Sequence, residues 1–158
     1  MSKEVTMSGG LMAAAIWSQP VRLFDVNRTK QLLSALPRKA GVYRIRVLNA
    51  EGRPVLLRRL SCDDPEGILD IGEAGDTIHT NLSWRIEAFQ NAVLDGKTYH
   101  AAGLRFHDYQ YEDRFPLHTL WVDWIVKPDK KAARDYEERL LAGHRRRFLD
   151  PPPLNCKA

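Results

Sequence analysis

Hydrophobic and polar residues alternate over residues 41–48, and this alternation predicts a strand with one buried face. On one side of the strand lie Tyr43, Ile45 and Val47, and on the other Val42, Arg44 and Arg46. Residues 55–61 are expected to form a hairpin with this strand, because residues 49–54 have the composition of a turn. Apolar runs predict further strands at residues 68–72 and 119–127.

Helical spacing replaces the alternation in three other segments. After Asn81, apolar residues at positions 82, 86, 89 and 93 form one stripe, and Gly96 ends the predicted helix. Helical spacing also predicts a short helix within residues 25–37 and a long last helix over residues 130–147. Residues 99–116 lack a clear period, and their pattern allows one short helix at the start.

The order of these elements predicts an α+β fold with a small, mostly antiparallel central sheet of three or more strands, flanked by helices. Residues 1–20 mix serine, glycine and small apolar residues, which is typical of a loosely ordered arm. Residues 21–158 are predicted to form a single domain, because a chain of 158 residues can bury one core of its own.

Composition narrows the functional classes only slightly. The net charge of +4 suits a polyanionic partner, although a moderate excess of Lys and Arg is also common on ordinary protein surfaces. The two cysteines, Cys62 and Cys156, lie far apart and indicate neither a disulfide framework nor a structural zinc site. The apolar run at residues 11–17 is far shorter than the ~20 residues of a membrane span, so we expect a cytoplasmic protein without membrane attachment.

One carboxylate is out of place in the last helix. Glu137 falls within the apolar stripe, between Ala133 and Leu141, and an unpaired buried charge is costly. Two interpretations remain open at this point. Glu137 pairs with Arg44 or Arg46 across the sheet, or it binds a metal ion.

Three further residues have both a structural and a functional interpretation. Asp70 interrupts an apolar strand between Leu69 and Ile71, and alternation would turn it towards a cleft while both neighbours are buried. Arg85, at the edge of its helical stripe, either packs its stem on the core or binds phosphate. Tyr43 either packs its ring in the core or contributes its hydroxyl to a site.

Taken in order, these residues resemble the motifs of the GIY-YIG nuclease family. Gly41-Val42-Tyr43 is similar to the first motif and Asp70-Ile71-Gly72 to the second, and Arg85 matches the helical arginine of the family. Glu137 matches the metal-binding glutamate that follows an alanine by four residues, and Pro153 and Asn155 match the closing proline and asparagine. There are two departures: Asp70 replaces the second tyrosine, and Phe89 replaces the histidine one turn after the arginine.

The resemblance implies hydrolysis of phosphodiester bonds with one divalent cation, Mg²⁺ or Mn²⁺. The implied catalytic residues are Tyr43, Asp70, Arg85, Glu137 and Asn155, with Glu137 as the metal ligand. Tyr43 would orient or deprotonate the attacking water, which requires the arginine and the cation to lower its pKa from about 10. Asp70 would be a second metal ligand or would accept a hydrogen bond from the water; alternatively its charge would repel the phosphate and leave a module that cuts poorly.

The expected partner is DNA, bound through basic residues that contact backbone phosphates with little sequence choice. The candidate substrate-binding residues are Arg44, Arg46, His100, Arg145 and Arg146, although the last two also complement the dipole of the final helix. A protein partner or a homodimer is left open. The first hypothesis is a metal-dependent DNA endonuclease, and the second is a catalytically weak module that binds nucleic acid or protein. A third, that the motifs are fortuitous, predicts that Glu137 lies far from Tyr43 and Arg85.

Overall fold

The alternating segment becomes a central strand of a four-stranded sheet. The computed structural model describes residues 16–25, Leu32 and residues 34–155. In chain order they form β1 (Val21–Arg22), β2 (Gly41–Val47), β3 (Ile68–Ala74), α1 (Leu82–Asp95), α2 (Ala101–Asp108), two short 3₁₀ turns (Tyr111–Asp113 and Leu117–Thr119), β4 (Leu120–Val126) and α3 (Lys130–Phe148). The strand order is β1-β4-β2-β3, and every neighbouring pair is antiparallel. The predicted α+β fold is confirmed.

The two faces of β2 are buried by different helices. Ile45 packs into the larger core with Phe89 of α1 and Phe106 of α2. Val42, on the opposite face, packs with Ala133 of α3. Since burial of a side chain of this size contributes roughly 1.5–3 kcal/mol, packing on both faces holds the strand between the helices.

Capping residues that are visible in the sequence define the ends of the helices. The side chain of Asn81 accepts a hydrogen bond from the Trp84 N–H at 3.0 Å at the start of α1, and Asp129 accepts one from the Ala132 N–H at 2.7 Å at the start of α3. Gly96 ends α1 in the left-handed conformation, with φ of 61°. The predicted helices after Asn81 and over residues 130–147 are confirmed, and α2 is the short helix that the pattern of residues 99–116 allowed.

The prediction that residues 55–61 form a hairpin strand with β2 is wrong. Apart from a hydrogen bond from the Val55 N–H to the Val47 carbonyl, this segment makes one isolated bridge, between Leu57 and Asp64. The two edges of β2 are already occupied by β3 and β4, so no further strand can pair with it along its length. Leu57 is the one apolar residue of the run that is buried.

Part of the predicted N-terminal arm is described and lies against the sheet. Ser18 donates its backbone N–H to the Trp124 carbonyl at 2.8 Å, and its hydroxyl accepts the Trp124 N–H at 3.0 Å. Residues 1–15 and most of the predicted helix at 25–37 lie outside the described residues. Among the residues described, none of the helices is both long and apolar enough to cross a bilayer.

Candidate active site

A cleft of about 350 Å³ opens beside β3, the strand at the edge of the sheet. All five residues that the resemblance marks as catalytic line it, namely Tyr43, Asp70, Arg85, Glu137 and Asn155. They come from β2, β3, α1, α3 and the C-terminal segment. The interpretation of the motifs as fortuitous required Glu137 to lie far from Tyr43 and Arg85, and the cleft contradicts that expectation.

The phenol of Tyr43 crosses β3 at Gly72, which explains the glycine at that position. Tyr43 and Gly72 are partners in the register of β2 and β3. A Cβ atom at residue 72 would lie 2.2 Å from the Tyr43 hydroxyl oxygen and 2.3 Å from Cζ. Gly41 is constrained in the same way, because a Cβ there would lie 2.4 Å from the carbonyl oxygen of Ile125 in β4. Both motif glycines therefore permit close approaches, and the approach at Gly72 lies in the wall of the cleft.

Tyr43 is almost fully buried, and its hydroxyl meets two polar groups from the helices. The hydroxyl oxygen lies 2.9 Å from Nε2 of His100, and the positive charge of Arg85 also acts on it. Burial, and then the negative charge of Asp70, raise the pKa of Tyr43 above its ordinary value, and Arg85 opposes this without cancelling it. The role of Tyr43 as a base required Arg85 and a cation to lower its pKa, and Arg85 by itself does not bring this pKa below its ordinary value.

Asp70 faces the cleft from β3 and is only 3% exposed. Burial raises the pKa of its carboxyl to about 7; the Arg85 charge opposes this rise, and the Glu137 charge adds to it. The carboxyl of Asp70 therefore holds its proton to a higher pH than an exposed aspartate does.

Alternation predicted that Leu69 and Ile71 lie on the same side of the sheet, but they lie on opposite sides. Leu69 packs into the core of α1 and α2, whereas Ile71 packs into the core beneath α3. The cause is a shift in the register of β2 and β3 between Ile45 and Arg46, which interrupts the simple alternation. Both hydrophobic neighbours are nevertheless buried, as predicted.

The arginines offered as structural partners of Glu137 bind a different carboxylate. Arg44 Nη2 lies 2.6 Å, and Arg46 Nη1 2.9 Å, from Oδ2 of Asp123 in β4. Glu137 is 9% exposed, lies on the buried face of α3 as predicted, and lines the cleft. This arrangement favours the alternative in which Glu137 serves the site.

Asn155 holds the edge strand beside Asp70. Its Oδ1 accepts the Ile71 N–H at 2.8 Å, and its Nδ2 donates to the Ile71 carbonyl at 2.7 Å. The Leu154 N–H donates to the Leu69 carbonyl at 2.8 Å. The C-terminal segment therefore satisfies the outer backbone groups of β3 on both sides of Asp70, and Asn155 contributes by fixing the position of that carboxylate.

Of the residues predicted to bind substrate, one lines the cleft. Arg44 and Arg46 belong to the face of β2 opposite Tyr43, and their side chains are 12% exposed and paired with Asp123. Arg145 and Arg146 are exposed in the last turn of α3 and do not line the cleft. The fifth, His100, lines the cleft but is 1% exposed and lies behind the Tyr43 hydroxyl.

Two cationic residues that line the cleft were not predicted from the sequence. They are Arg105 of α2 and Lys130 at the start of α3. Arg105 Nη1 donates to the Leu154 carbonyl, and its positive charge lowers the pKa of Asp70 against the effect of burial. The available signal for Arg105 was its position three residues after Ala102, on the side of α2 that packs against the core. Lys130 follows a helix cap and carries no such signal.

The donor set of the cleft fits a hard divalent cation that keeps water and substrate ligands. The negative charge of Glu137 is close enough to oppose the ionisation of Asp70, and a cation between the two carboxylates would relieve this repulsion. Mg²⁺ is commonly held by one or two carboxylates together with water and phosphate oxygens. Within the described ranges, no three His, Cys, Asp or Glu side chains form a ready-made metal cage. The site therefore suits a cation bound jointly with a phosphate.

Comparison with known proteins adds no further assignment. No family model, curated sequence or solved structure matches this chain.

The ionisation of Asp70 should destabilise the metal-free protein as the pH rises. The unfolded state releases this proton near pH 4, whereas the folded state holds it until about pH 7, so the free energy of unfolding falls over that interval. We expect Asp70→Asn to match the wild type near pH 4 and to exceed its free energy of unfolding by roughly 2–4 kcal/mol at pH 8.

Denaturant unfolding in a chelating buffer between pH 4 and pH 8 measures this difference. Asp63→Asn serves as the control, because Asp63 is exposed and the same change of charge should leave stability within ~0.5 kcal/mol. Parallel stability profiles for the wild type and Asp70→Asn would show that Asp70 is not held protonated by burial.

Proposed function

We propose that this protein is a metal-dependent endonuclease that hydrolyses phosphodiester bonds of DNA with a site of the GIY-YIG type. The proposal rests on one observation: the phenol of Tyr43, the carboxylates of Asp70 and Glu137, and the guanidinium groups of Arg85 and Arg105 line a single cleft. Guanidinium groups match phosphate oxygens, and carboxylate oxygens match Mg²⁺. The cleft therefore provides ligands for both components of a phosphate–cation complex.

Each group of the cleft has a role in this proposal. Arg85 donates hydrogen bonds to the phosphoryl oxygens and stabilises the charge that develops on them in the transition state. Arg105 and Lys130 contact phosphates next to the scissile one, where their charge favours binding without sequence choice. Asp70 orients the attacking water and accepts its proton, because it is the carboxylate that faces the cleft from β3 beside Glu137.

Glu137 is the residue proposed to hold the cation, with Asp70 close beside it. A bound Mg²⁺ or Mn²⁺ would polarise the scissile phosphate and stabilise the leaving oxygen.

A catalytically weak module that binds nucleic acid or a protein partner is the second candidate. The observation that favours it is the pair of carboxylates in the cleft, because without a cation their charges repel a phosphate. The raised pKa of Tyr43 adds to this argument, since the phenol is protonated throughout the neutral range. The two candidates differ in whether DNA that binds is also cut.

Metal removal and one arginine variant test the proposal. The purified protein should cut supercoiled plasmid, branched duplex or single-stranded DNA in Mg²⁺ or Mn²⁺ and should lose this activity in EDTA. Arg85→Ala should lower the cleavage rate about a hundredfold or more, because a donor to developing charge is removed.

The control is Arg53→Ala, which removes an exposed arginine in the turn after β2 and should cut at the wild-type rate. Cutting that persists in EDTA or is equal in Arg85→Ala would show that this cleft is not its source. DNA binding without cutting of any of the three substrates would favour the binding module.

A further inference from the structure

The hydrogen bonds of His100 determine which of its nitrogens carries the proton. His100 is the N-cap of α2, and its Nδ1 accepts the backbone N–H of Gly103 at 3.3 Å. A nitrogen that accepts a hydrogen bond uses its lone pair and carries no proton. In the neutral ring the proton is therefore on Nε2.

The surroundings of the ring keep it neutral. His100 is 1% exposed, and the rings of Tyr43 and Phe89 lie on either side of it, with centroids at 6.2 Å and 5.4 Å. Burial, reinforced by the positive charge of Arg85, lowers the pKa of His100 to about 3. Protonation of the ring would also break the capping bond to Gly103.

The Nε2–H of His100 points at the Tyr43 hydroxyl oxygen, 2.9 Å away, and therefore donates to it. A bond in which the phenol oxygen accepts leaves the O–H of Tyr43 to donate elsewhere. The positive charge of Arg85 lies near the same oxygen, and a guanidinium has donors only, so Arg85 cannot accept this hydrogen. Tyr43 lines the cleft, which is where its O–H is directed.

We propose that His100 is a positioning residue that turns the hydroxyl hydrogen of Tyr43 towards the cleft, where it donates to a phosphoryl oxygen of the substrate. The substrate in this proposal rests on the proposed function. The assignment differs from the role expected from the sequence, in which Tyr43 helped to deprotonate water, because burial and the negative charge of Asp70 raise the pKa of Tyr43 and keep the phenol protonated. It also gives His100, which was expected to contact DNA, a role behind the phenol.

Two substitutions separate the cap of α2 from the contact with Tyr43. His100→Asn places an oxygen where Nδ1 lies, so it keeps a good N-cap but loses the donor to Tyr43. His100→Gln places an amide N–H₂ near the position of Nε2, so it keeps the donor but has a poor cap. We expect His100→Asn to keep thermal stability near wild type and to cut DNA about tenfold more slowly. His100→Gln should melt earlier but cut within about threefold of the wild-type rate.

The loss in His100→Asn should disappear in a Tyr43→Phe background, because the hydroxyl it serves is then absent. Equal rates for His100→Asn and the wild type, or a loss that persists in Tyr43→Phe, would overturn the positioning role.

A second measurement does not require activity. ¹⁵N-histidine NMR of the full chain should show His100 as the neutral Nε2–H tautomer, in the wild type and in Tyr43→Phe. An Nδ1–H tautomer or an imidazolium at pH 7 would overturn the proposal whatever the nuclease assays show. The expected tautomer in a protein that cuts no DNA would contradict the proposed function but leave the direction of the His100–Tyr43 hydrogen bond intact.

Discussion

Replacement of Glu137 by glutamine is expected to lower the rate of metal-dependent DNA cleavage at least about a thousandfold. Glu137 is the carboxylate that α3 contributes to the cleft, and glutamine has the same shape without the charge that holds a divalent cation. A Lewis acid at a scissile phosphate contributes several kcal/mol to transition-state stabilisation, and about 1.4 kcal/mol corresponds to a tenfold change in rate. The measurement is the initial rate of plasmid nicking at saturating Mg²⁺.

The adjacent glutamate provides the matched control for this variant. Glu138 is exposed on the same helix, so Glu138→Gln removes the same charge one residue away and should cut at the wild-type rate. Glu137→Gln should stay folded, because the substitution replaces a buried charge with a neutral group of equal size. If Glu137→Gln cuts as fast as Glu138→Gln, the cation is held elsewhere and the proposed site is wrong.

The second large effect is expected from a single methyl group. In Gly72→Ala the new Cβ would overlap the Tyr43 hydroxyl at 2.2 Å and Cε1 of the same ring at 2.8 Å. Tyr43 is 1% exposed and held against His100 at 2.9 Å, so the ring or the strand must shift. We expect a loss of about 1–3 kcal/mol in the free energy of unfolding and loss of cleavage beyond a hundredfold.

Thermal and denaturant unfolding measure the first effect, and the plasmid assay measures the second. Gly143→Ala is the control, because a Cβ there would meet nothing closer than Arg146 Nη2 at 3.8 Å and alanine favours the helix. Tyr43→Phe should not restore the stability of Gly72→Ala, since Cζ of the ring would still lie 2.3 Å from the new methyl. Wild-type stability of Gly72→Ala would show that the phenol does not lie across this glycine.

The carboxylates of Asp70 and Glu137 explain why the endonuclease and the weak binding module are close alternatives. Asp70 and Glu137 favour a cation when one is bound and oppose a phosphate when none is. Asp70→Asn distinguishes the candidates, because it relieves this repulsion. It should strengthen metal-free DNA binding in both cases, but it should reduce cleavage only in an enzyme that uses the carboxylate.

Elements with a clear local pattern could be predicted from the sequence, and the pairing of one run with another could not. β2, α1 and α3 were found because alternation and apolar stripes are local properties of each segment. The hairpin at residues 55–61 was predicted wrongly because a run of apolar residues does not reveal that both edges of β2 are occupied. The motif residues were predicted to share one site and do line one cleft, whereas Arg105 and Lys130 were not predicted.

The sequence by itself determined the strands and helices that have a clear local pattern, and the set of motif residues that could form a phosphate site. Only the tertiary structure decided how these residues are used: Arg44 and Arg46 bind Asp123, and His100 lies against Tyr43. The physical reason is separation along the chain. A helix or strand is specified over a few neighbouring residues, but Tyr43 and His100 are 57 residues apart, and Ile71 and Asn155 are 84 apart. Burial, charge state and the direction of each hydrogen bond arise only when the packed sheet and helices bring such residues together.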